Sequence, residues 1–109
     1  MKYSVHVVID AENDLWDIYR YVAQHDSVER ADQLIDNLNY TATSLETFPL
    51  RGHCPPELER IGILEFKEIL FKPYRIIYQI IASDVFIHCV LDGRRQVIDI
   101  LQERLFRSE

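Results

Sequence analysis

Hydrophobic and polar residues follow one another along this chain with two different periods, and the changes of period divide it into segments. Residues 3–9 form an apolar run with β-branched side chains, which predicts a first strand. From Asp10 onward the apolar side chains recur every three to four residues, the period of a helix that buries one face. Asp10 is the expected N-cap, because its carboxylate can accept hydrogen bonds from free N–H groups at a helix start. This first helix should end near Gln24.

A second helix is predicted directly after the first. Asp26 and Glu29 have the spacing of a capping box, although Ser27 could be the cap instead. The helical period continues to about Thr47, so the two helices and their short connection should form an antiparallel hairpin. Three prolines and a glycine then make residues 48–57 a loop.

Three strand-like segments follow in quick succession. They are residues 64–71, 74–81 and 85–91. The turns between them, around "KP" and "SD", are short enough to require neighbouring strands to be antiparallel. A glycine turn at residues 92–95 ends the sheet, and apolar positions at helical spacing predict a C-terminal helix over residues 96–106.

The resulting order is β-α-α-β-β-β-α. It predicts a single α+β domain over residues 1–109, with the helical hairpin packed on one face of a small antiparallel sheet. The N-terminal strand is expected to join this sheet beside one of the three later strands. In the strand 85–91, simple alternation separates Phe86, His88 and Val90 from Val85, Ile87, Cys89 and Leu91.

Arg75 lies inside an apolar strand, where a charge held away from water is costly. Strand alternation places it on the same face as Gln79, and since the helices can cover only one face, this face is expected to be open, with His88 sharing it. Arg94 and Arg95 follow at the end of the next strand, so a basic cluster could form there and bind a phosphate or carboxylate. The alternative is that Arg75 simply extends to water.

Charge is distributed unevenly in the sequence. The formal net charge is −6, which argues against tight sequence-independent binding of nucleic acid. Residues 1–50 carry three basic and nine acidic groups, whereas residues 71–107 carry six basic and four acidic groups. Any anionic partner is therefore expected to contact the C-terminal third.

Other classes of site have little support in the sequence. The four histidines are scattered, and Cys54 and Cys89 lack metal-ligand spacing, so we expect neither a metal nor another cofactor. The acidic residues of the first helix, including Asp14, are predicted to form a solvated face rather than paired catalytic carboxylates. No apolar stretch approaches the ~20 residues of a membrane span, and no secretory signal is evident, so a cytoplasmic protein is predicted.

Several short motifs occur in a fixed order. The first helix contains an alanine, an Asp–Leu pair and Ile-x-x-Tyr; the second contains an early alanine and ends in Leu-x-x-Phe-Pro, with a glycine just beyond. These residues are Ala11, Asp14, Leu15, Ile18, Tyr21, Ala31, Leu45, Phe48, Pro49 and Gly52. "YRIIYQI" and "LDGRR" follow in the strands. The ordered set spans nearly the whole chain and resembles the RelE/ParE superfamily of toxins from type II toxin–antitoxin systems, closer to the ParE (plasmid stabilisation) branch.

The resemblance implies one of two activities. RelE-like toxins are ribosome-dependent mRNA endonucleases that use basic residues on the open sheet face, and here Arg75, Arg95 and His88 would be the catalytic candidates. ParE-like toxins share the fold and are understood to poison DNA gyrase. In both branches a small antitoxin neutralises the toxin, and it is expected to dock on the helical hairpin and a sheet edge. The candidate residues for binding the target or the antitoxin are Arg75, Gln79, Asp92, Arg94, Arg95 and Arg104.

Departures from the nuclease pattern favour the ParE branch. Leu101 stands where some nucleases have a tyrosine, and Lys67 lies between the acidic Glu65 and Glu68. Asp92 replaces a histidine that many ParE-like sequences carry before "GRR". The sequence therefore predicts a gyrase-binding toxin that needs no cofactor and does not bind DNA sequence-specifically; a RelE-like ribonuclease or a non-toxic, antitoxin-binding module remain the alternatives.

Overall fold

The computed structural model describes residues 2–106 and has the predicted order of elements with one addition. The strands are β1 (Ser4–Val7), β2 (Phe66–Phe71), β3 (Tyr74–Ile81) and β4 (Asp84–Asp92), and the helices are α1 (Ile9–His25), α2 (Val28–Thr43), α3 (Pro56–Glu59) and α4 (Val97–Leu105). A 3₁₀ turn, Ser44–Glu46, follows α2. The predicted α+β fold is confirmed, but the expected loop at 48–57 runs into α3, a single helical turn that begins at a proline.

The four strands form one sheet in the order β1-β4-β3-β2. β2, β3 and β4 are antiparallel neighbours, as the two-residue turns require. β1 joins the sheet beside β4, as expected, but runs parallel to it, with Ser4 opposite Asp84 and Val7 opposite Ile87. β1 and β2 are therefore the two edges.

The helix starts differ in part from the predicted caps. Val8 is the N-cap of α1 and makes no side-chain capping bond, so the prediction that Asp10 caps this helix is wrong. Ser27 caps α2, since its Oγ accepts a hydrogen bond from the N–H of Arg30 at 3.1 Å. No helix within residues 2–106 combines the length and hydrophobicity that crossing a bilayer requires.

The hairpin of α1 and α2 packs on one face of the sheet, as predicted. Its fully buried contacts include Ala11 and Leu38 from the helices and Ile76, Tyr78 and Ile87 from the central strands. This apolar layer holds the hairpin across the middle of the sheet.

A β-bulge in β4 changes which side chains face the hairpin. Ile77 lies opposite Cys89 and Tyr78 lies opposite Ile87, so His88 is an extra residue with no partner in β3. Simple alternation is therefore wrong beyond Ile87. Val90 joins the hairpin side, and Cys89 turns to the other side of the sheet.

The second face of the sheet is also covered, which contradicts the prediction that it is open. Val97, Ile100 and Leu101 of α4 and Leu58 of α3 pack there. They contact a second buried cluster that contains Phe66, Ile77, Cys89 and Leu91. The apolar stripe of the C-terminal helix and the short α3 together provide the second layer, so the sheet lies between two helical layers.

Tyr78 anchors the loop that follows the hairpin. Its hydroxyl donates to the carbonyl of Pro49 at 2.7 Å and accepts from the N–H of Gly52 at 3.1 Å. A Cβ at position 52 would lie 2.5 Å from this hydroxyl, so only glycine allows this close approach. The hydroxyl is fully buried with the rest of the side chain.

Tyr78→Phe is expected to lower the free energy of unfolding by about 2 kcal/mol, because it leaves the buried carbonyl of Pro49 and the partly buried N–H of Gly52 without their partner. Urea denaturation of purified protein measures this change. Tyr40→Phe is the matched control, since Tyr40 is 80% exposed on α2. An equal effect of the two substitutions would contradict the assigned role of Tyr78.

Candidate functional site

Arg75 is enclosed by two carboxylates. Its two terminal nitrogens donate to the two oxygens of Glu57 at 2.8 and 2.9 Å, and its Nε donates to Oε1 of Glu68 at 2.6 Å. Only 12% of the Arg75 side chain is exposed. The alternative that Arg75 extends to water is therefore wrong, and its charge is compensated inside the protein.

Two different elements bring these carboxylates to Arg75. In the register of β2 and β3, Arg75 lies opposite Leu70, so Glu68 is its diagonal neighbour on the same face. Glu57 arrives on α3. The loop before α3 is held against β2 by His53, whose backbone exchanges two hydrogen bonds with Glu68 at 2.7 and 3.1 Å, while Nε2 of His53 contacts Oε2 of Glu68 at 3.0 Å.

Arg75 and Glu57 stabilise each other's charged forms. The hydrogen bond from Arg75 lowers the pKa of Glu57, and the same bond, with that to Glu68, raises the pKa of Arg75. One guanidinium faces two carboxylates, so the centre of the network carries no positive excess. An approaching phosphate would meet negative charge unless Glu57 moved away.

A shallow cleft of about 580 Å³ lies above this network. Arg60 and Lys72 line it and are exposed, and Glu57 and Arg75 are among its other lining residues. The cleft therefore contains exposed basic side chains, but Arg75 itself is already paired with Glu57 and Glu68.

His88 lies in the bulge and is separated from Arg75. Its Nε2 donates to Oε1 of Gln79 at 3.1 Å, and its ring meets the edge of Phe66. Burial lowers the pKa of His88, so the ring is neutral at pH 7. Arg75 lies opposite Leu91, and His88 lies three positions before Leu91 in β4. His88 and Arg75 are therefore separated by about 10 Å along the strands.

The turn after β4 is organised by Asp92. Its carboxylate accepts from the backbone N–H of Arg94 at 3.0 Å and from the Arg94 side chain at 3.2 Å, and these bonds lower the pKa of Asp92. Gly93 donates to the carbonyl of Pro73 at 2.7 Å. Arg94 and Arg95 are both exposed, so of the predicted binding residues these two present cations to solvent.

Arg104 is not an exposed cation but the partner of Asp14. Its guanidinium donates to both carboxylate oxygens at 2.9 and 2.7 Å, and also to the carbonyl of His88 at 3.2 Å. Asp14 in turn accepts from the N–H of Val90 at 2.9 Å. The prediction that Asp14 belongs to a solvated face is wrong, since only 10% of its side chain is exposed.

The Asp14–Arg104 pair bonds the N–H of Val90 and the carbonyl of His88, two backbone groups at the bulge. It also joins the hairpin to α4. No local pattern in the sequence marks it, because the two residues are 90 positions apart. The pairing of Arg75 with Glu57, 18 positions away, is not predicted for the same reason.

Reactive groups elsewhere in residues 2–106 form no second centre. Cys54 and Cys89 are free thiols, and burial raises the pKa of Cys89 to about 12. No group of three or more His, Cys, Asp or Glu side chains in the described part of the chain is placed to hold a metal ion. The candidate site is thus the covered sheet face around Arg75 and the basic turn beside it.

Two solved structures with a similar fold come from toxin–antitoxin systems. The chromosomal ParDE system from P. aeruginosa matches with a TM-score of 0.71 and 14% identity, covering 84% of this chain and 96% of that chain. The RelBE2 toxin–antitoxin complex from Mycobacterium tuberculosis matches with a TM-score of 0.63 and 20% identity, covering 84% of this chain and 99% of the other. At these identities the likeness shows the fold alone.

The sequence comparison is more specific. No curated protein matches the sequence significantly. Residues 9–97, however, match the family described as the ParE toxin of the type II toxin–antitoxin system, parDE, and this range holds both helices of the hairpin, all of β2 to β4 and the basic turn. The predicted membership of the RelE/ParE superfamily is confirmed, and the chain belongs to the ParE toxin family of type II toxin–antitoxin systems.

Proposed function

We propose that this toxin acts in the cytoplasm by binding DNA gyrase, and that a cognate antitoxin neutralises it. The observation that carries the proposal is the enclosure of Arg75 by Glu57 and Glu68. The strand arginine that a RelE-like nuclease would use on a phosphate is here part of the internal structure.

A metal-free ribonuclease needs a general acid and base within hydrogen-bond reach of the scissile group and concentrated positive charge. His88 is about 10 Å from Arg75 along the strands, and it is bonded to Gln79. Arg95 lies on the exposed turn. The match to the ParE toxin family supports the same conclusion.

The proposed contacts with gyrase begin at the basic turn. Arg94 and Arg95 are exposed, and Asp92 fixes the backbone that presents them. Arg75, Gln79 and Arg104 are also candidates from the sequence, but their side chains are bonded inside the protein, so the proposed gyrase contacts do not depend on them. Gyrase is a protein target, so these cations would orient it rather than hold it by charge alone.

The antitoxin is proposed to use the helical hairpin and one sheet edge. The middle of the β2 edge is already bridged by His53. β1 pairs only with β4, and alternation directs the backbone groups of Val5 and Val7 away from that neighbour. An extended segment of the antitoxin can therefore add a strand beside β1.

We expect the purified toxin to block supercoiling of relaxed plasmid by gyrase and to leave mRNA intact on translating ribosomes. Agarose gels of the plasmid and primer extension on the mRNA measure the two effects. The toxin preincubated with the antitoxin is the control, and it should spare gyrase. Ribosome-dependent cleavage would contradict the proposal, and inertness in both assays with antitoxin binding intact would favour a non-toxic binding module.

A further inference from the structure

Tyr21 of α1 lies beside the basic turn that follows β4. α1 starts next to Ile87, whose carbonyl accepts the N–H of the residue before the helix at 3.1 Å, and Asp14 then bonds the N–H of Val90. The helix and the strand therefore run in the same direction. Tyr21 is two helical turns beyond Asp14, on the same face of α1 and about 10 Å further along. An equal length of strand beyond Val90 reaches residues 92–95, so Tyr21 is placed over the turn.

The ring of Tyr21 is ordered although it is exposed. Tyr21 is 63% exposed, and its ring stacks on that of His25 with centroids 4.1 Å apart and an interplanar angle of 19°. Nδ1 of His25 donates to the carbonyl of Tyr21 at 2.9 Å, which fixes both rings on the last turn of α1. An aromatic side chain that is already ordered loses little conformational entropy when a partner covers it.

Electrostatic effects show that Tyr21 and the turn share one surface. Asp92, chiefly by hydrogen bonding, and Tyr21, electrostatically, raise the pKa of Arg94. Burial, followed by the charges of Asp92 and Tyr21, raises the pKa of Tyr74, which lies opposite Asp92 at the start of β3. We call this the aromatic–basic surface. It consists of Tyr21, His25, Tyr74, Arg94 and Arg95.

The charge of this surface suits an acidic partner. Arg94 pairs with Asp92, yet 92% of its side chain is exposed. No carboxylate in residues 2–106 lies within 4 Å of the guanidinium of Arg95, which is also exposed. Asp17, one turn before Tyr21 on α1, already pairs with Arg20. A partner carboxylate would therefore meet a free cation beside an ordered aromatic ring.

We infer that Tyr21 is a direct contact of this toxin with its target, and that the aromatic–basic surface binds an acidic segment of gyrase. An apolar or aromatic side chain of that segment packs on the exposed side of the Tyr21 ring, and a carboxylate pairs with Arg95. Exposed arginines alone orient a protein partner more than they hold it, whereas tyrosine and arginine are enriched among the residues that contribute most of the binding energy. The inference rests on the proposed gyrase target and adds the residue that supplies affinity.

Biolayer interferometry of the toxin on immobilised gyrase, in the absence of DNA, measures the affinity. Tyr21→Ala should weaken binding about thirtyfold, whereas Tyr21→Phe, which keeps the ring, should stay within about twofold of wild type. Arg94→Ala with Arg95→Ala should weaken binding and also reduce its dependence on NaCl, which Tyr21→Ala should leave unchanged. Tyr40→Ala is the matched control and should bind like wild type, since Tyr40 is an 80% exposed tyrosine of α2.

Circular dichroism of each variant establishes beforehand that it is folded. If wild-type toxin does not bind gyrase, the proposed target itself fails. If wild type binds and Tyr21→Ala binds as tightly as Tyr40→Ala, the target stands and the role of Tyr21 fails alone. Equal losses for Tyr21→Ala and Tyr21→Phe would contradict a contact made by the ring. Binding that appears only after DNA is added would show that the surface meets DNA phosphates, which overturns the acidic protein segment.

Discussion

Replacing Asp14 with alanine should lower the free energy of unfolding by about 4 kcal/mol, the largest effect of any substitution considered for this protein. The carboxylate accepts both donors of the Arg104 fork and the N–H of Val90. Its removal leaves a buried guanidinium without its counter-charge and a buried N–H without an acceptor. Both losses occur at the bulge, which determines the face on which each side chain after His88 lies in β4.

Chemical denaturation of wild type and Asp14→Ala, followed by circular dichroism, measures this loss. Asp17→Ala is the control from the same helix, since Asp17 pairs with Arg20 at the surface and 71% of its side chain is exposed. That control should change stability by less than about 0.5 kcal/mol. A loss below 1 kcal/mol for Asp14→Ala would mean that the pair does not hold the hairpin to α4.

Arg75→Ala should cost about 3 kcal/mol, because it leaves Glu57 and Glu68 buried without their cation. Exchanging the whole network for neutral groups, Glu57→Gln, Glu68→Gln and Arg75→Met, should restore most of this loss, since no charge is then left unpaired. Chemical denaturation of the two variants compares them. If Arg75→Ala were as stable as wild type, the network would have no structural role.

The same network makes stability depend on pH at the acid end. The pKa of Glu57 in the folded protein is lowered from the usual 4.5, so the unfolded chain binds its proton first. Its contribution is complete above pH 4.5 and is lost as pH falls through the lowered value. The neutral triple variant lacks Glu57 as an acid, so its stability should fall less steeply over that range.

The parts of the fold that could be predicted are those coded by local periodicity. The helical period of the hairpin and the two short turns between strands determine the order of elements and the antiparallel pairing. α3 was missed although proline at its start and Glu57 in its first turn are both helix-start signals. The three prolines and the glycine of residues 48–57 outweigh these signals, because a helix of one turn adds no periodic pattern of its own.

What could not be predicted depends on contacts distant in sequence. Alternation assumes a regular strand, and a single extra residue at His88 moved Cys89 to the opposite face. The burial of Arg75 depends on two further contacts. α4 packs on the second face of the sheet, and Glu57 of α3 bonds to the guanidinium. The sequence therefore identified Arg75 as unusual but assigned it the wrong environment.

We propose that Arg75 has a structural role in this toxin and that gyrase binding does not use it as a catalytic cation. The most direct test is inhibition of gyrase supercoiling by the variant Glu57→Gln, Glu68→Gln, Arg75→Met, purified and shown to be folded. We predict that it inhibits gyrase at the same concentration as wild type, because the network is replaced without change to the exposed turn. A folded variant that no longer inhibits gyrase, while wild type does, would contradict the claim and make Arg75 a functional residue.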